Sequence, residues 1–356
     1  MLRFHRLRVI EVRPEAEDAV AVALEVPAEL RGEYRGAPGQ HVVLRATDGE
    51  GELRRTYSLT NAPGSETLQI LVRKQPQGRM SQWLAGLAGG TLIEALPPNG
   101  SFTPRSDSLD RGLRVAFAAG SGITPVLSVT RAVLAAGGAM MVFYGNRGTA
   151  RAMGLEALQE LKDRYPQRLA LHFIMSREPQ EVALYNGRLD AAKVCEVAGA
   201  FFEPRRILEA FVCGPGDMGE RSSAALRTLG TPAERIHVEH FAVASERATE
   251  AEPPPAGVAP QAGMAEVGVI LDGRRRSFPM ALDADTVLDA AERAGIELPF
   301  SCRSGVCSTC RTKVVRGKVR MEQNYALEAW ELEQGYVLAC QSRCLTPQLE
   351  LDYDEK

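Results

Sequence analysis

The sequence predicts three folded domains: an antiparallel β-barrel or sandwich, a doubly wound α/β domain, and a small cysteine-bearing domain behind a linker. Three observations predict this. Residues 1–105 carry short apolar runs broken by closely spaced turn residues. From Leu113 the chain alternates apolar strands with helical segments. Residues 244–264 are rich in Pro, Ala and Glu and show no hydrophobic period, and they precede a block that holds five of the seven cysteines. At roughly 100–200 residues per domain, 356 residues supply two or three cores.

Composition narrows the function classes. Apolar residues are 45% and charged residues 24%, so a mostly disordered chain is excluded. Lys plus Arg is 42 against 45 Asp plus Glu, a net charge of -3, which argues against nucleic-acid binding through bulk positive charge. No run reaches 18 apolar residues, and Arg3, His5, Arg6, Arg8 and Glu11 leave no apolar leader. A cytoplasmic protein is therefore expected. In that setting clustered cysteines bind metal or do redox work more often than they form disulfides.

In the first block, Gln40-His41-Val42-Val43-Leu44 and Leu68-Gln69-Ile70-Leu71-Val72 are strand candidates, with turns at Pro38-Gly39, Asp48-Gly49, Pro63-Gly64 and Pro98-Asn99-Gly100. In the second, strands are expected at Val115–Ala119, Met140–Tyr144, Leu169–Met175 and Ala210–Cys213, and helices over 125–136, 151–164, 188–198 and 217–229. A strand leads into Gly120-Ser121-Gly122, and a helix is expected after Thr124 as N-cap with Pro125 in the first position. Such a helix start accepts a pyrophosphate, and the glycines let its backbone approach. A bare G-x-G is also what an ordinary strand-to-helix turn looks like. A second motif, Cys213-Gly214-Pro215-Gly216-Asp217-Met218, follows another strand at the same edge of the sheet.

In the third block, Cys302, Cys307, Cys310 and Cys340 read C-x4-C-x2-C, then 29 residues, then C. This is the plant-type [2Fe–2S] spacing: three thiolates from one tight loop and a distant fourth. Gly305 and the small residues Ser301, Ser304, Ser308 and Thr309 let backbone N–H groups reach the sulfurs. The competing reading is zinc, but four-cysteine zinc sites usually show two C-x2–4-C pairs, and Cys340-x3-Cys344 only mimics the second. Cys344 is then a spare thiol. A capped helix over Asp285–Ala294 ended by Gly295, and a strand over Val314–Val319, flank the loop. The block resembles the plant-type ferredoxin domain, a β-grasp fold.

The pair G-x-G-x-T-P and C-G-P-x-x-M resembles the nicotinamide domain of the ferredoxin–NADP reductase family, and Arg55-Thr56-Tyr57-Ser58 resembles its R-x-Y-[ST] flavin signature. The resemblance implies FAD in the barrel and NADPH in the α/β domain. Arg55 would offer a fork to a flavin phosphate, Tyr57 a face to the isoalloxazine, and Ser58 a hydroxyl near its reactive edge. Val72, Arg73 and Lys74, then Gly78, Met80 and Ser81, fit a second flavin-phosphate loop, with Ser81 opening a short helix. Gly120, Gly122, Thr124 and Pro125 would take the nicotinamide pyrophosphate. Cys213, Gly214, Pro215 and Met218 would lie beside the nicotinamide. Asn146, Arg147, Ser176 and Arg177 stand where a ribose 2′-phosphate would bind, and Arg147 and Arg177 read equally as surface arginines. Glu239-His240-Phe241 resembles the E-x-F ending that puts an aromatic near the flavin; a core phenylalanine is the alternative. Ser58, Tyr57, Cys213 and Glu239 are thus the candidate catalytic residues.

The expected domains are 1–108 for FAD, 109–243 for the nicotinamide, 244–264 as linker and 265–356 for the [2Fe–2S] cluster. That order resembles reductases that feed oxygenases, in particular the reductase subunits of phenylacetyl-CoA epoxidases. The likeness extends to Leu53-Arg54-Arg55-Thr56-Tyr57-Ser58, Tyr144-Gly145-Asn146-Arg147 and Met321-Glu322-Gln323-Asn324-Tyr325. It implies a di-iron oxygenase as protein partner and no nucleic acid or membrane. Reductases of ring or steroid hydroxylases, and a non-catalytic iron–sulfur redox sensor, remain as alternatives.

Overall fold

A computed structural model describes residues 3–62, 64–241, 263–327 and 329–355. They form two compact units, one spanning Phe4–Phe241 and one holding the C-terminal residues.

The first unit begins with β1 (His5–Ala16), β2 (Ala19–Glu25), β3 (His41–Asp48), β4 (Gly51–Ser58), β5 (Thr67–Arg73), α1 (Arg79–Ala85) and β6 (Leu92–Ala95). The strands run antiparallel in the order β4-β3-β6-β1-β2-β5. A bridge between Leu59 and Ile70 brings the two ends together, so the sheet closes as a barrel and not a sandwich. Leu7, Val22, Leu44, Ile70, Leu84 and Ile93 fill it. The period of two along β2 and β5 serves two cores at once. Val20, Val22, Leu24, Ile70 and Val72 face the barrel interior, while Ala19, Ala21 and Leu71 pack with the following α/β layer. The expected boundary at 108/109 therefore falls inside one compact unit.

That layer comprises β7 (Leu113–Ala119), α2 (Ile123–Ala136), β8 (Ala139–Asn146), α3 (Leu155–Arg164), β9 (Leu169–Met175), α4 (Ala191–Phe201), β10 (Glu209–Gly214), α5 (Met218–Thr228) and β11 (Ile236–His240). All five strands are parallel, in the order β11-β10-β7-β8-β9. The chain builds outward from β7 through β9, then returns to lay β10 on the other side of β7. The ends of β7 and β10 thus form the switch-point crevice where such sheets bind ligands. Thr124 does not cap α2. A 3-10 turn over Gly120–Gly122 runs directly into a helix that starts at Ile123, and the Thr124 hydroxyl donates to the Ser121 carbonyl at 3.0 Å. Pro125 still lies in the first turn, where its missing N–H costs nothing. α3 starts later than expected because Thr149–Arg151 forms a separate turn. At the far end of the strands, Arg114 and Glu209 face each other in register. Both are buried, and Arg114 Nε donates to Glu209 Oε2 at 2.6 Å.

The second unit comprises β12 (Met264–Leu271), β13 (Arg274–Ala281), α6 (Val287–Arg293), β14 (Arg311–Arg316), β15 (Val319–Met321), α7 (Ala329–Glu333), β16 (Tyr336–Leu338), β17 (Ser342–Cys344) and β18 (Gln348–Asp352). Its main sheet has the order β13-β12-β18-β14-β16, with β12 and β18 parallel and the other pairs antiparallel. α6 packs on this sheet through Val287, Leu288, Ala290 and Ala291, against Val267, Phe278 and Leu351, which is the β-grasp arrangement. Thr286, not Asp285, caps α6: its hydroxyl accepts from Asp289 N, while Asp285 pairs with Arg293. Gly295 follows with φ 72, as a helix-ending glycine should. The strand expected over Val314–Val319 is split at Gly317, whose φ of 92 turns the chain between β14 and β15. Met264 already belongs to β12, and the linker up to residue 262 lies outside the described residues. Among the described residues no helix is long and apolar enough to cross a membrane.

Candidate active site

β4 delivers Arg55, Tyr57 and Ser58 to one end of the barrel. Arg55 is exposed and gives one N–H to the Arg54 carbonyl at 2.8 Å. Burial pushes the Tyr57 phenol above its ordinary range, and Arg55 pulls weakly the other way. Ser58 is buried, and its hydroxyl lies 3.4 Å from Glu239 Oε2 on β11. Glu239 is in register with Cys213 on β10, so these two candidates are neighbours across the parallel ladder. Cys213 is fully buried; burial, then the adjacent Glu239 charge, hold its thiol protonated. Ser58, Glu239 and Cys213, separated by up to 181 positions in the chain, therefore meet at one point. Phe241, next along, packs half-buried against the core that contains Cys213.

The segment expected as a second flavin loop lies at the barrel surface, but not every side chain faces outward. Val72 and Met80 are in the barrel core, so only their backbone is available to a ligand. Arg73 is held by Asp18 and donates to the Arg151 carbonyl at 2.9 Å. Asp18 also pairs with Arg151, so this trio ties barrel to α/β layer. The Lys74 N–H donates to the Asp18 carbonyl at 2.7 Å. Ser81 does not open the helix: α1 starts at Arg79 behind Gly78, and the Ser81 hydroxyl donates to the Gly78 carbonyl and accepts from Gln75 N.

At the switch point, Gly120 has φ 54, and a Cβ there would meet nothing within 4 Å. That is an open cradle with backbone exposed. Gly122 is the reverse case: a Cβ would lie 2.0 Å from the Cys213 carbonyl oxygen, so the glycine turn and the Cys-Gly-Pro motif touch backbone to backbone. Gly214 packs on the Met218 sulfur, and Pro215 stays exposed at the rim. Tyr144 was not anticipated as a site residue. Its buried hydroxyl lies 3.0 Å from the Gly120 carbonyl and 3.0 Å from that of Met153, steadying the cradle from below. The signal was its place two residues before Asn146 on the same strand. Further along, Ser176 N and Oγ both donate to the Asn146 carbonyl, and Arg177 N donates to that of Arg147. Asn146 is nearly buried, with its Nδ2 unsatisfied among the described residues. Glu178 accepts from Thr149 N and Oγ1, which lowers its pKa.

In the second unit, Cys302, half-buried, and Cys307 and Cys310, buried, lie in the loop before β14, and the buried Cys340 lies between β16 and β17. The loop is wound tightly: Arg303, Gly305 and Ser308 all have positive φ, a conformation that costs non-glycine residues of order 1 kcal/mol each. Ser304 N points at Cys302 Sγ at 3.4 Å and Gln341 Nε2 at Cys340 Sγ at 3.6 Å. The thiols fall into two hydrogen-bonded pairs, Cys302 with Cys307 and Cys310 with Cys340. The bond from Cys307 brings Cys302 down to about 5. Among the described residues no three metal-ligating side chains gather about one point. Cys302, Cys307, Cys310 and Cys340 are the donor set that would hold a [2Fe–2S] cluster, which would carry one electron. Cys344 is outside the set: its buried thiol donates to the Thr346 carbonyl at 3.1 Å.

Three family models match in succession: an oxidoreductase FAD-binding domain over residues 7–103, an oxidoreductase NAD-binding domain over 117–223, and a 2Fe-2S iron-sulfur cluster binding domain over 269–345. Fold and sites together define an NAD(P)H-dependent flavin and iron–sulfur oxidoreductase. Its architecture is similar to that of phthalate dioxygenase reductase, described as a modular structure for electron transfer from pyridine nucleotides to [2Fe-2S], with TM-score 0.59 and 22% identity over 98% of each chain. In sequence it is 39% identical to one of the subunits of the 1,2-phenylacetyl-CoA epoxidase of Escherichia coli strain K12, over 100% of this chain and 99% of that one. It is 34% identical to the ferredoxin reductase component of 3-ketosteroid-9-alpha-monooxygenase from Rhodococcus rhodochrous, over 98% and 96%. The chain belongs to this family of oxygenase reductases.

Proposed function

We propose that this chain is the reductase component of a phenylacetyl-CoA epoxidase, taking electrons from NADPH through FAD and a [2Fe–2S] cluster to a di-iron oxygenase in the cytoplasm. The observation that carries the reading is the end-to-end likeness to the protein of the Escherichia coli epoxidase, which runs through all three domains and the linker between them. When bound, the flavin would accept two electrons as a hydride and pass them on singly, and the cluster would carry one at a time.

The residues divide the work. Arg55, with the backbone of Val72, Lys74, Gly78, Met80 and Ser81, holds the flavin phosphates. Arg73 acts mostly by fixing that loop to the α/β layer. Tyr57 covers the isoalloxazine, with Phe241 near its other side. Gly120 and Gly122 admit the NADPH pyrophosphate at the start of α2, where Thr124 and Pro125 shape the first turn. Cys213, Gly214, Pro215 and Met218 form the nicotinamide floor. Asn146 and Ser176 fix the strand ends from which Arg147 and Arg177 reach a 2′-phosphate, which favours NADPH over NADH. Ser58 and Glu239 handle the proton at the flavin edge. Cys302, Cys307, Cys310 and Cys340 hold the cluster.

The test is the absorption spectrum of the anaerobically purified protein before and after one equivalent of NADPH, followed by addition of the oxygenase component. Flavin bands with a broad iron–sulfur shoulder should bleach, and the reduced protein should support epoxidation of phenylacetyl-CoA. Bleaching with transfer only to a steroid hydroxylase would move the chain to that branch of the family. Absence of bleaching would overturn the reductase reading.

A further inference from the structure

The last of the four cysteines is followed by a buried polar side chain that the preceding reading leaves unused. Gln341, between β16 and β17, is 8% exposed. Its Nε2 lies 3.0 Å from the Arg303 carbonyl, 3.0 Å from the Cys340 carbonyl and 3.6 Å from Cys340 Sγ. All three are acceptors, so the amide nitrogen, and not its oxygen, faces them. Two N–H groups meet three acceptors, and one N–H is therefore shared between the carbonyl and the sulfur of Cys340.

The side chain spans the gap between the two pieces of chain that carry the cysteines. Arg303 sits in the loop of Cys302, Cys307 and Cys310, and it is a fixed post. Its guanidinium donates to Asp289 Oδ1 at 2.9 Å and to Glu292 Oε2 at 2.8 Å, both on α6, and lies 4.4 Å from the centre of the Phe300 ring. The stem of Gln341 is gripped as well. A Cβ on Gly305 would come within 3.2 Å of Gln341 Cγ, so the bare glycine lets the loop lie close on it. The Gln341 backbone donates to the Leu338 carbonyl and accepts from Glu322 N, both at 2.9 Å, and Tyr325 N donates to the Gly305 carbonyl at 3.0 Å. Cysteine loop, fourth cysteine and the 322–325 segment thus meet around one carboxamide, which has little freedom to turn away from the sulfur.

We propose that Gln341 is a positioning residue that holds Cys340 against the cysteine loop and, through its N–H beside Cys340 Sγ, favours the reduced state of the [2Fe–2S] cluster. The inference rests on the cluster reading given above. Reduction adds one electron; no bond forms or breaks, and no proton moves. The added negative charge is spread over the irons and their thiolate ligands, and an N–H aimed at one of those sulfurs offsets part of it. The donor therefore stabilises the reduced form more than the oxidised one, and it raises the potential at which an electron is taken from the flavin.

The test uses the full chain with FAD and cluster bound. It is titrated anaerobically with dithionite in the presence of redox mediators, and the reduced cluster is followed by electron paramagnetic resonance. Gln341→Met nearly keeps the length and volume but removes the donor. At a fixed solution potential its ratio of reduced to oxidised cluster should fall about tenfold, at the low end for a hydrogen bond to a charged group, which is a midpoint about 59 mV lower for one electron. Gln341→Glu puts an acceptor where the donor was and should lower the ratio at least as far. Reduction of the flavin by NADPH should be unchanged in both. Independently of any variant, pulsed resonance spectra of the reduced wild-type cluster should show a nitrogen-15 coupling when glutamine side chains carry that isotope. A ratio within about twofold of wild type in the variants would overturn the proposal, as would a wild-type spectrum without that coupling. Absence of any iron–sulfur signal from the wild-type protein would strike the cluster reading instead.

Discussion

A methyl group at Gly122 would sit 2.0 Å from the Cys213 carbonyl oxygen, 2.5 Å from its carbon and 3.0 Å from Gly214 N. The backbone at Gly122 has φ -60 and ψ -10, which any residue adopts, so Gly122→Ala is a purely steric perturbation. Ordinary contact begins near 3.4 Å, so the turn and the end of β10 must part by about 1.4 Å. Both sides are backbone, and β7 and β10 are bonded through Cys213 and Ala118 just below, so nothing can swing aside. Overpacking of this kind costs about 1–3 kcal/mol, on the order of 5 °C in Tm for a unit of this size. Because the displaced atoms line the nucleotide crevice, KM for NADPH should rise on the order of tenfold or more. Gly214→Ala provides the control. Its Cβ would lie 2.2 Å from the Met218 sulfur, but that obstacle is the end of a flexible thioether that can rotate away. Its cost should stay below about 1 kcal/mol, with a smaller change in KM. Thermal denaturation and steady-state NADPH titration of the two variants decide the matter. Gly214→Ala proving as damaging as Gly122→Ala, or Gly122→Ala proving neutral, would refute the packing of turn against motif.

Other consequences follow from the same geometry. Burial pushes the Glu209 carboxyl up, but hydrogen bonds from His237, Arg114 and Arg105 N outweigh it and bring it from 4.5 to about 2. A depressed carboxylate stabilises the fold above its unfolded pKa and loses that contribution as pH falls. Stability against denaturant should therefore drop by about 3 kcal/mol between pH 5 and pH 2, and Glu209→Gln should flatten this acid limb while costing about 3–5 kcal/mol at pH 7. Cys307→Ser or Cys310→Ser should abolish the iron–sulfur absorption and its electron paramagnetic resonance signal, whereas Cys344→Ser should keep both; loss of the cluster in Cys344→Ser would put the wrong thiol in the set. Arg177→Ala should raise KM for NADPH on the order of tenfold and leave that for NADH nearly as it was, as expected for one lost charge-assisted contact. Equal effects on the two nucleotides would remove Arg177 from the 2′-phosphate site.

The fold class and the succession of flavin, nicotinamide and iron–sulfur domains were legible in the sequence because each rests on local order. Turn residues punctuate the barrel, strand–helix alternation fixes a parallel sheet, and C-x4-C-x2-C is a loop motif whose members are neighbours in the chain. Misplacements occurred where a local preference met a tertiary one. Thr124 looks like an N-cap, yet the 3-10 turn of Gly120–Gly122 supplies the helix start, because Gly122 must lie flat against Cys213. Ser81 looks like a helix opener, but its hydroxyl closes the loop from Gln75 to Gly78. Arg73 reads as a phosphate ligand and is largely committed to Asp18 and Arg151, a partnership across 133 positions from Asp18 that no local pattern announces.

The sequence by itself determined which chemistry this protein can hold: residue types and their spacing set the glycine turn, the aromatic and hydroxyl of β4, and the cluster of cysteines. Only the tertiary structure decided how those pieces meet. Ser58, Glu239 and Cys213 come from three strands of two layers, and their convergence depends on the closure of the barrel and the return of the chain to the far side of β7. The merging of barrel and α/β layer into one unit, through the two faces of β2 and β5, is likewise a property of packing. Side-chain alternation can be read along a strand, but which core each face enters depends on where the rest of the chain has folded.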